Sequence, residues 1–302
     1  MRLGLQLPSF SSPGGPAAIG PTLVEVAQAA EEGGFASLWV MDHWFQLPEN
    51  TGWGGPEEPM LEAYTTLGFL ARATDRIGLG PLVAGVHFRH PGALVKQATT
   101  LDVLAGGGRT TLGLGAGWYG REARGLGFPF PSPAERFARL EETLRIARAM
   151  LAGDRAAIVG EHYRLDEPIN VPAPLVAGSP RILVGGNGPQ RTAGLVARYG
   201  DASNFLNPDP GESRRLVEAI RRGAEEAGRD PDAIEMTCLI DADLRPGRMT
   251  TADLVERGRS QAAEGIDHLI INLPDVHRTE QLRVIGREVV PELAALEPVT
   301  AA

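Results

Sequence analysis

The residues Asp42-His43 close an apolar run, Ser37–Met41, and carry the first chemical signal in this 302-residue chain. A histidine titrates near neutral pH and can pass a proton in either direction. The aspartate one residue earlier projects to the other face of the chain, where it could hold a loop or polarise a neighbour. The plain alternative is a capping Asp and a surface His. A second signal is Gly185-Gly186-Asn187-Gly188-Pro189, between the run Ile182–Val184 and a helix-like stretch from Gln190. Bare backbone N–H groups and the positive end of a helix suit a phosphate or carboxylate. A simple turn needs one glycine; three in four positions point to a ligand. A third is Gly113-Leu114-Gly115-Ala116-Gly117-Trp118. It reads G-x-G-x-G rather than G-x-G-x-x-G and lacks the downstream acid for a ribose, so a dinucleotide site is not expected. Its glycines either let a ligand approach the strand end or make a tight turn. His87 and His90 are three apart, but Pro91 follows. His90-Pro91 reads as a helix start, and no third ligand is evident, so no metal site is expected.

These groups need elements to position them. Short apolar runs recur at Leu3–Leu7, Ser37–Met41, Ile77–Val83, Thr110–Leu114, Ile182–Val184, Ala202–Leu206, Ile234–Ile240 and His268–Asn272. Helical periodicity falls at Thr22–Glu32, Gly92–Leu104, Ala134–Leu151 and Glu212–Ala227, with glycine stops at Gly33-Gly34, Gly106–Gly108 and Gly228. Eight buried-type strands alternating with helices predict an α/β fold, a single (β/α)8 TIM barrel over 1–302, with an open doubly wound sheet as the alternative. An insertion of about 120–176 follows strand 4, and a short Ala-containing tail follows Pro298. In such a barrel, function sits in the loops after the strand C-termini. Each of the three signals above falls there.

Composition narrows the class. The formal charge is -9, with 43% hydrophobic and 22% charged residues. That is globular, and no basic run invites nucleic acid. No apolar stretch spans a bilayer and no signal-peptide core opens the chain, so a cytoplasmic protein is expected. The lone cysteine, Cys238, excludes an internal disulfide. The lone lysine, Lys96, falls inside a helix, which argues against a Schiff-base aldolase.

The block FRHPGALVKQATTLDVLAGGGRTTLGLGAGW (88–118), with AEEGGFASLWVMDHW (30–44), ERFARLEETLRIARAM (135–150), ILVGGNGPQRT (182–192) and ARYGDASN (197–204), resembles the luciferase-like monooxygenase superfamily, within it the branch using the deazaflavin coenzyme F420. The resemblance covers nearly the whole chain. It implies a bulge with a non-prolyl cis peptide at Leu82–Val83, which with Ala84 backs a flavin-like ring. It implies that Gly115, Gly117, Trp118, Gly185, Gly186, Asn187 and Gly188 hold the cofactor and its phosphate. It also implies that Asp42 contacts the ring and that His43 handles the substrate proton. Sugar-oxidising members carry Glu where this chain has Trp118 and Asn where it has Arg121, which weakens the case for a sugar phosphate. Trp118 and Tyr119, with Trp44 and Trp53, suggest an aromatic pocket and a flat or apolar substrate. With F420 the activity implied is hydride transfer to or from a small organic substrate. With FMN, the alternative, it is monooxygenation, and a cofactor-binding protein without turnover is a third reading. Homodimers are common among relatives.

Overall fold

The computed structural model describes residues 1–296, so the tail expected after Pro298 lies outside them. Eight of its strands and one two-residue segment form a nine-stranded parallel sheet: β1 (Arg2–Leu7), β2 (Ser37–Val40), β3 (Gly78–Pro81), β4 (Ala84–Gly85), β5 (Thr111–Gly115), β8 (Arg181–Gly185), β9 (Ala202–Leu206), β10 (Glu235–Asp241) and β11 (His268–Asn272). A separate antiparallel pair, β6 (Ile158–Val159) and β7 (Arg164–Leu165), lies between them in sequence. The helices are α1 (Pro16–Glu32), α2 (Ala63–Ala73), α3 (Pro91–Leu104), α4 (Gly120–Gly125), α5 (Pro133–Leu151), α6 (Arg191–Tyr199), α7 (Pro210–Glu226), α8 (Thr251–Ala262), α9 (Thr279–Glu288) and α10 (Val290–Ala294).

The order β3-β2-β1-β11-β10-β9-β8-β5-β4 is that of a parallel barrel. It closes through one bridge, Leu79 to Thr110, and through Ala84–Leu114 and Gly85–Gly115. Every apolar run of the sequence becomes a strand, but the third, expected as one piece over Ile77–Val83, is split. β3 stays with β2 up to the Val40–Pro81 pair. Leu82 N still donates to Val40 O (2.8 Å), but Pro81 has no N–H on the side where Leu79 N donates to Arg109 O (2.8 Å), so it is the pairing of β3 with β5 that stops. The chain then bulges at Leu82–Val83, whose peptide is cis, and β4 pairs with β5 instead.

Strand interiors are buried on both faces, as all-parallel strands with helices outside require. The barrel lumen is plugged by Trp39, Leu82, Leu183, Ala202, Leu239 and Ile270. At its N-terminal end, Trp39 Nε1 donates to Ser37 Oγ (2.6 Å), Ser37 meets His268 Nε2 (3.0 Å), and His268 Nδ1 meets Glu235 (3.0 Å). Burial would push Glu235 up, but His268, Arg2 and Arg181 hold it well below the usual carboxylate range.

Several helix starts follow the sequence signals. His90 Nδ1 accepts from Gly92 N ahead of Pro91, and Ser132 and Asp209 cap helices whose first residue is proline. α5 packs against both α3 and α6, in the outer helical ring. The insertion expected over 120–176 therefore shrinks to α4 and the segment around the β6–β7 hairpin. Among the described residues no helix is long and apolar enough to cross a membrane.

Candidate active site

At the C-terminal ends of β2, β4, β5, β8 and β9 lies a hollow of ≈ 370 Å³. Its back wall is Leu82–Val83, its sides the glycine segments after β5 and β8, and its floor reaches Leu239. The structure brings most of the residues singled out from the sequence to this one place. Asp42, His43, Leu82, Val83, Gly115, Gly117, Trp118, Gly185, Gly186, Asn187 and Gly188 all line it. Ala84 does not; it is buried in the outer core.

His43 is positioned by a residue the sequence reading missed. Glu122, in the first turn of α4 and 1% exposed, accepts from the N–H groups of Trp44 (2.7 Å) and Phe45 (3.2 Å) through Oε2. Its Oε1 sits 2.7 Å from His43 Nδ1. A carboxylate on Nδ1 places the proton there and leaves Nε2 unprotonated in the neutral ring. His43 thus turns a proton acceptor toward the hollow. A glutamate three residues past a helix N-cap reads as an ordinary capping acid, so nothing local marked it.

Asp42 lines the hollow and also holds the chain around it. Its carboxylate takes a two-pronged grip from Arg89 (2.6 and 2.9 Å) and accepts from Gly85 N (3.3 Å). Arg89 also binds Glu62 (2.5 Å) and lies over the Tyr64 ring. Burial pushes the Asp42 carboxyl up while Arg89 pulls it down. Asp42 and Glu62 hold Arg89 protonated more firmly than usual. Asp42 therefore anchors β4, and with it the bulge, to β2.

The glycines have a reason visible only in three dimensions. A Cβ on Gly115 would stand 2.7 Å from Val83 Cγ2, and one on Gly117, whose φ is +76°, 2.3 Å from the His87 ring. They make room for the bulge and for His87 as well as for any ligand. Asn187 does not reach into the hollow for an anion. Its side chain closes on Leu206 (2.7 and 2.9 Å) and Glu212 (3.1 Å), tying the β8–α6 turn to the end of β9. Gly186 N donates to the Asn204 carbonyl (2.9 Å), so the backbone left bare beside Thr192 is that of Gly188 and the first turn of α6.

The expected aromatic pocket is smaller than the four residues suggested. Trp118 lines the mouth and is 58% exposed, with Tyr119 stacked behind it. Trp44 packs behind the site against Phe88 and Phe128, and Trp53 lines a different cavity. Lys96 sits within α3 and bonds the Val171 carbonyl, away from the mouth. Among the described residues no cluster of metal-ligating side chains occurs.

His87, wedged between Phe88 and Phe130, has among the described residues no partner for either ring nitrogen. Burial holds its pKa down to about 4. The unfolded chain, with an ordinary imidazole near 6.5, binds the extra proton first. Stability is therefore expected to fall as pH drops from about 6.5 towards 4. Urea unfolding of a His87→Leu variant should show a shallower fall over that window; an equally steep one would exonerate the ring.

Residues 1–281 match the sequence model of a family described as luciferase-like monooxygenase. The chain belongs to this family. It is 31% identical to an F420-dependent glucose-6-phosphate dehydrogenase of Beutenbergia cavernae, over 89% of this chain and 92% of that one. It is 33% identical to an F420-dependent hydroxymycolic acid dehydrogenase of Mycobacterium tuberculosis, over 70% of this chain but 56% of that protein. The fold superposes on an F420-dependent secondary alcohol dehydrogenase solved with an F420–acetone adduct. The TM-score is 0.78 at 20% identity, covering 97% and 99% of the two chains. At that identity the likeness is one of fold.

Proposed function

We propose that the protein is an F420-dependent oxidoreductase that moves a hydride between the deazaflavin and a small organic substrate. The observation that carries this reading is the Glu122–His43 pair: a histidine with its tautomer fixed and Nε2 free, in the wall of a hollow backed by the Leu82–Val83 bulge. The F420 dependence of a 31% identical relative that aligns over most of both chains supports it.

The residues present suit such a cofactor. The back wall is apolar and the opposite sides are bare backbone, where a Cβ at Gly185 would stand 3.0 Å from Val83 and one at Gly188 2.8 Å from Thr192 Oγ1. A flat ring fits against Leu82 and Val83. An anionic tail suits Gly188 and the N-terminus of α6, where helix N–H groups lack intrahelical acceptors. Bound F420 supplies two-electron hydride chemistry at its central ring carbon.

The chain supplies the rest. His43 Nε2 takes the hydroxyl proton of an alcohol in the oxidising direction and returns it in the other. Glu122 keeps Nδ1 protonated and stabilises the imidazolium that forms. Asp42 and Arg89 hold the bulge in place rather than touching the reacting atoms. Trp118 screens the mouth from water.

The test is a fluorescence titration of the apo-protein with F420 and, separately, with FMN. F420 is expected to bind in the micromolar range or tighter, and FMN at least about tenfold more weakly. The reverse preference would overturn the reading in favour of a flavin monooxygenase. Binding of neither would remove the role given to Gly185–Gly188.

A further inference from the structure

Most polar groups in the wall of the hollow are already taken. Asp42 is held by Arg89, Glu122 by His43 and two backbone N–H groups, and Asn187 by Leu206 and Glu212. The Leu82 carbonyl of the bulge accepts from Gln6 Nε2 (3.0 Å). The His87 nitrogens are sealed from solvent. Behind Trp118, what stays uncommitted among the described residues is His43 Nε2, Thr192 Oγ1 and one end of the Asn204 carboxamide. The first handles the proton. The second stands beside Gly188 at the start of α6, where the anionic tail is placed. The third has no role so far.

Asn204 follows Ala202 in β9 by two residues. Ala202 faces the barrel axis, so Asn204 faces it too, one layer nearer the mouth. It lines the hollow and is 6% exposed. Thr237 Oγ1 ties one end of its carboxamide at 2.9 Å and reaches the Ser203 carbonyl at 2.7 Å. A hydroxyl has one proton and also accepts, so it can meet either end of an amide. With either end tied, the other opens to the hollow without a partner. A buried amide group without one costs free energy that a ligand recovers.

Position says what that ligand presents. Asn204 is the register partner of Gly185, one strand spacing away, and a Cβ on Gly185 would stand 3.0 Å from Val83. Val83, Gly185 and Asn204 thus follow one another across the hollow. A flat ring laid on Val83 and over Gly185 brings its edge, not its face, to Asn204. The complement of a neutral amide is a neutral edge with a donor and an acceptor side by side, which pairs with whichever end is free.

We propose that Asn204 anchors the cofactor ring by its pyrimidinedione end, pairing with the imide edge in which one N–H stands between two carbonyls. This rests on the cofactor reading of the same hollow. In the barrel β1, β11 and β10 separate β2 from β9, so Asn204 and His43 stand across the mouth from each other. Held at Asn204 by its imide end, the ring reaches toward His43 with the rest. The side chain thereby sets which end of the ring enters the barrel, and it takes no part in proton transfer.

Fluorescence titration of the whole protein with 5-deazariboflavin and its 3-methyl derivative tests the anchor. The two compounds differ only at the imide nitrogen. The parent is expected to bind roughly tenfold more tightly. Asn204→Leu should weaken the parent by about that factor, leave the methyl derivative nearly unchanged and so erase the preference. Thr237→Val, which leaves Asn204 present but untied, should reduce the preference in part, and it decides the matter if the leucine variant does not fold. Equal affinities in the unaltered protein, a preference that survives substitution, or a loss shared alike by both compounds would overturn the proposal. FMN carries the same imide edge as F420, so the two readings fail separately. A protein that prefers FMN but discriminates the methyl derivative through Asn204 keeps the anchor and loses the F420 reading. One that prefers F420 without that discrimination does the reverse, and binding of none of these rings overturns both.

Discussion

Replacing His43 with alanine is expected to leave the fold and the F420 affinity intact and to slow hydride transfer by about 10²- to 10⁴-fold, the range of a positioned proton-transfer group. The reason is geometric. Nδ1 is committed to Glu122 at 2.7 Å, so the ring presents one defined nitrogen to the hollow. Glu122→Gln is the companion variant. An amide can still accept from Trp44 N or Phe45 N, but it no longer favours the tautomer with the proton on Nδ1. Its rate should fall by less than that of the alanine variant, with the change concentrated in kcat and in the pH profile rather than in cofactor binding. Single-turnover absorbance measurements of F420 reduction separate the two. A His43→Ala enzyme of undiminished rate would remove the proton role.

The largest stability effect is expected at Arg89. The Arg89→Met variant leaves Asp42 and Glu62 facing each other beneath the bulge with no cation between them, and the Gly85 amide held by a carboxylate now free to move. Stripping one partner from a buried ion pair costs about 3–5 kcal/mol, because the other charge stays buried. Arg89→Lys should recover little. One ammonium cannot grip Asp42 in two places, reach Glu62 and lie over Tyr64 at once. Denaturant unfolding measures both variants. A loss below about 1 kcal/mol for Arg89→Met would mean that the pair behaves as an exposed one.

Much of the fold was legible because parallel barrel strands write themselves plainly. Each is a short apolar run with both faces buried, stopped by glycine, proline or asparagine. The eight runs, the His90-Pro91 helix start and the glycine stops needed only local rules, and the bulge at Leu82–Val83 followed from a family likeness. Less was legible where meaning depends on a partner distant in sequence. Glu122 lies 79 residues from His43. Arg89 lies 47 from Asp42, so neither pairing leaves a trace in spacing. The resemblance implied a cofactor contact for Asp42, and its grip by Arg89 was hidden in the sequence. Gly115 and Gly117 read as ligand clearance alone, because the bulk they also avoid, Val83 and His87, comes from another strand. Trp53 was grouped with Trp118 on residue type alone, yet the two face different cavities.

The split third strand has one more consequence. A barrel of unbroken ladders behaves as a hoop, in which no strand moves unless its neighbours do. Here the lower half of that strand is hydrogen-bonded to β2 and the upper half to β5, and between β3 and β5 there is the single bridge Leu79–Thr110. The hoop has a clasp, and the proposed cofactor seat lies against it. A ligand pressed onto Leu82 and Val83 while touching Gly115 and Gly185 spans that clasp from both sides. Filling the seat as proposed is then expected to fasten the ring at the edge where its ladder is thinnest.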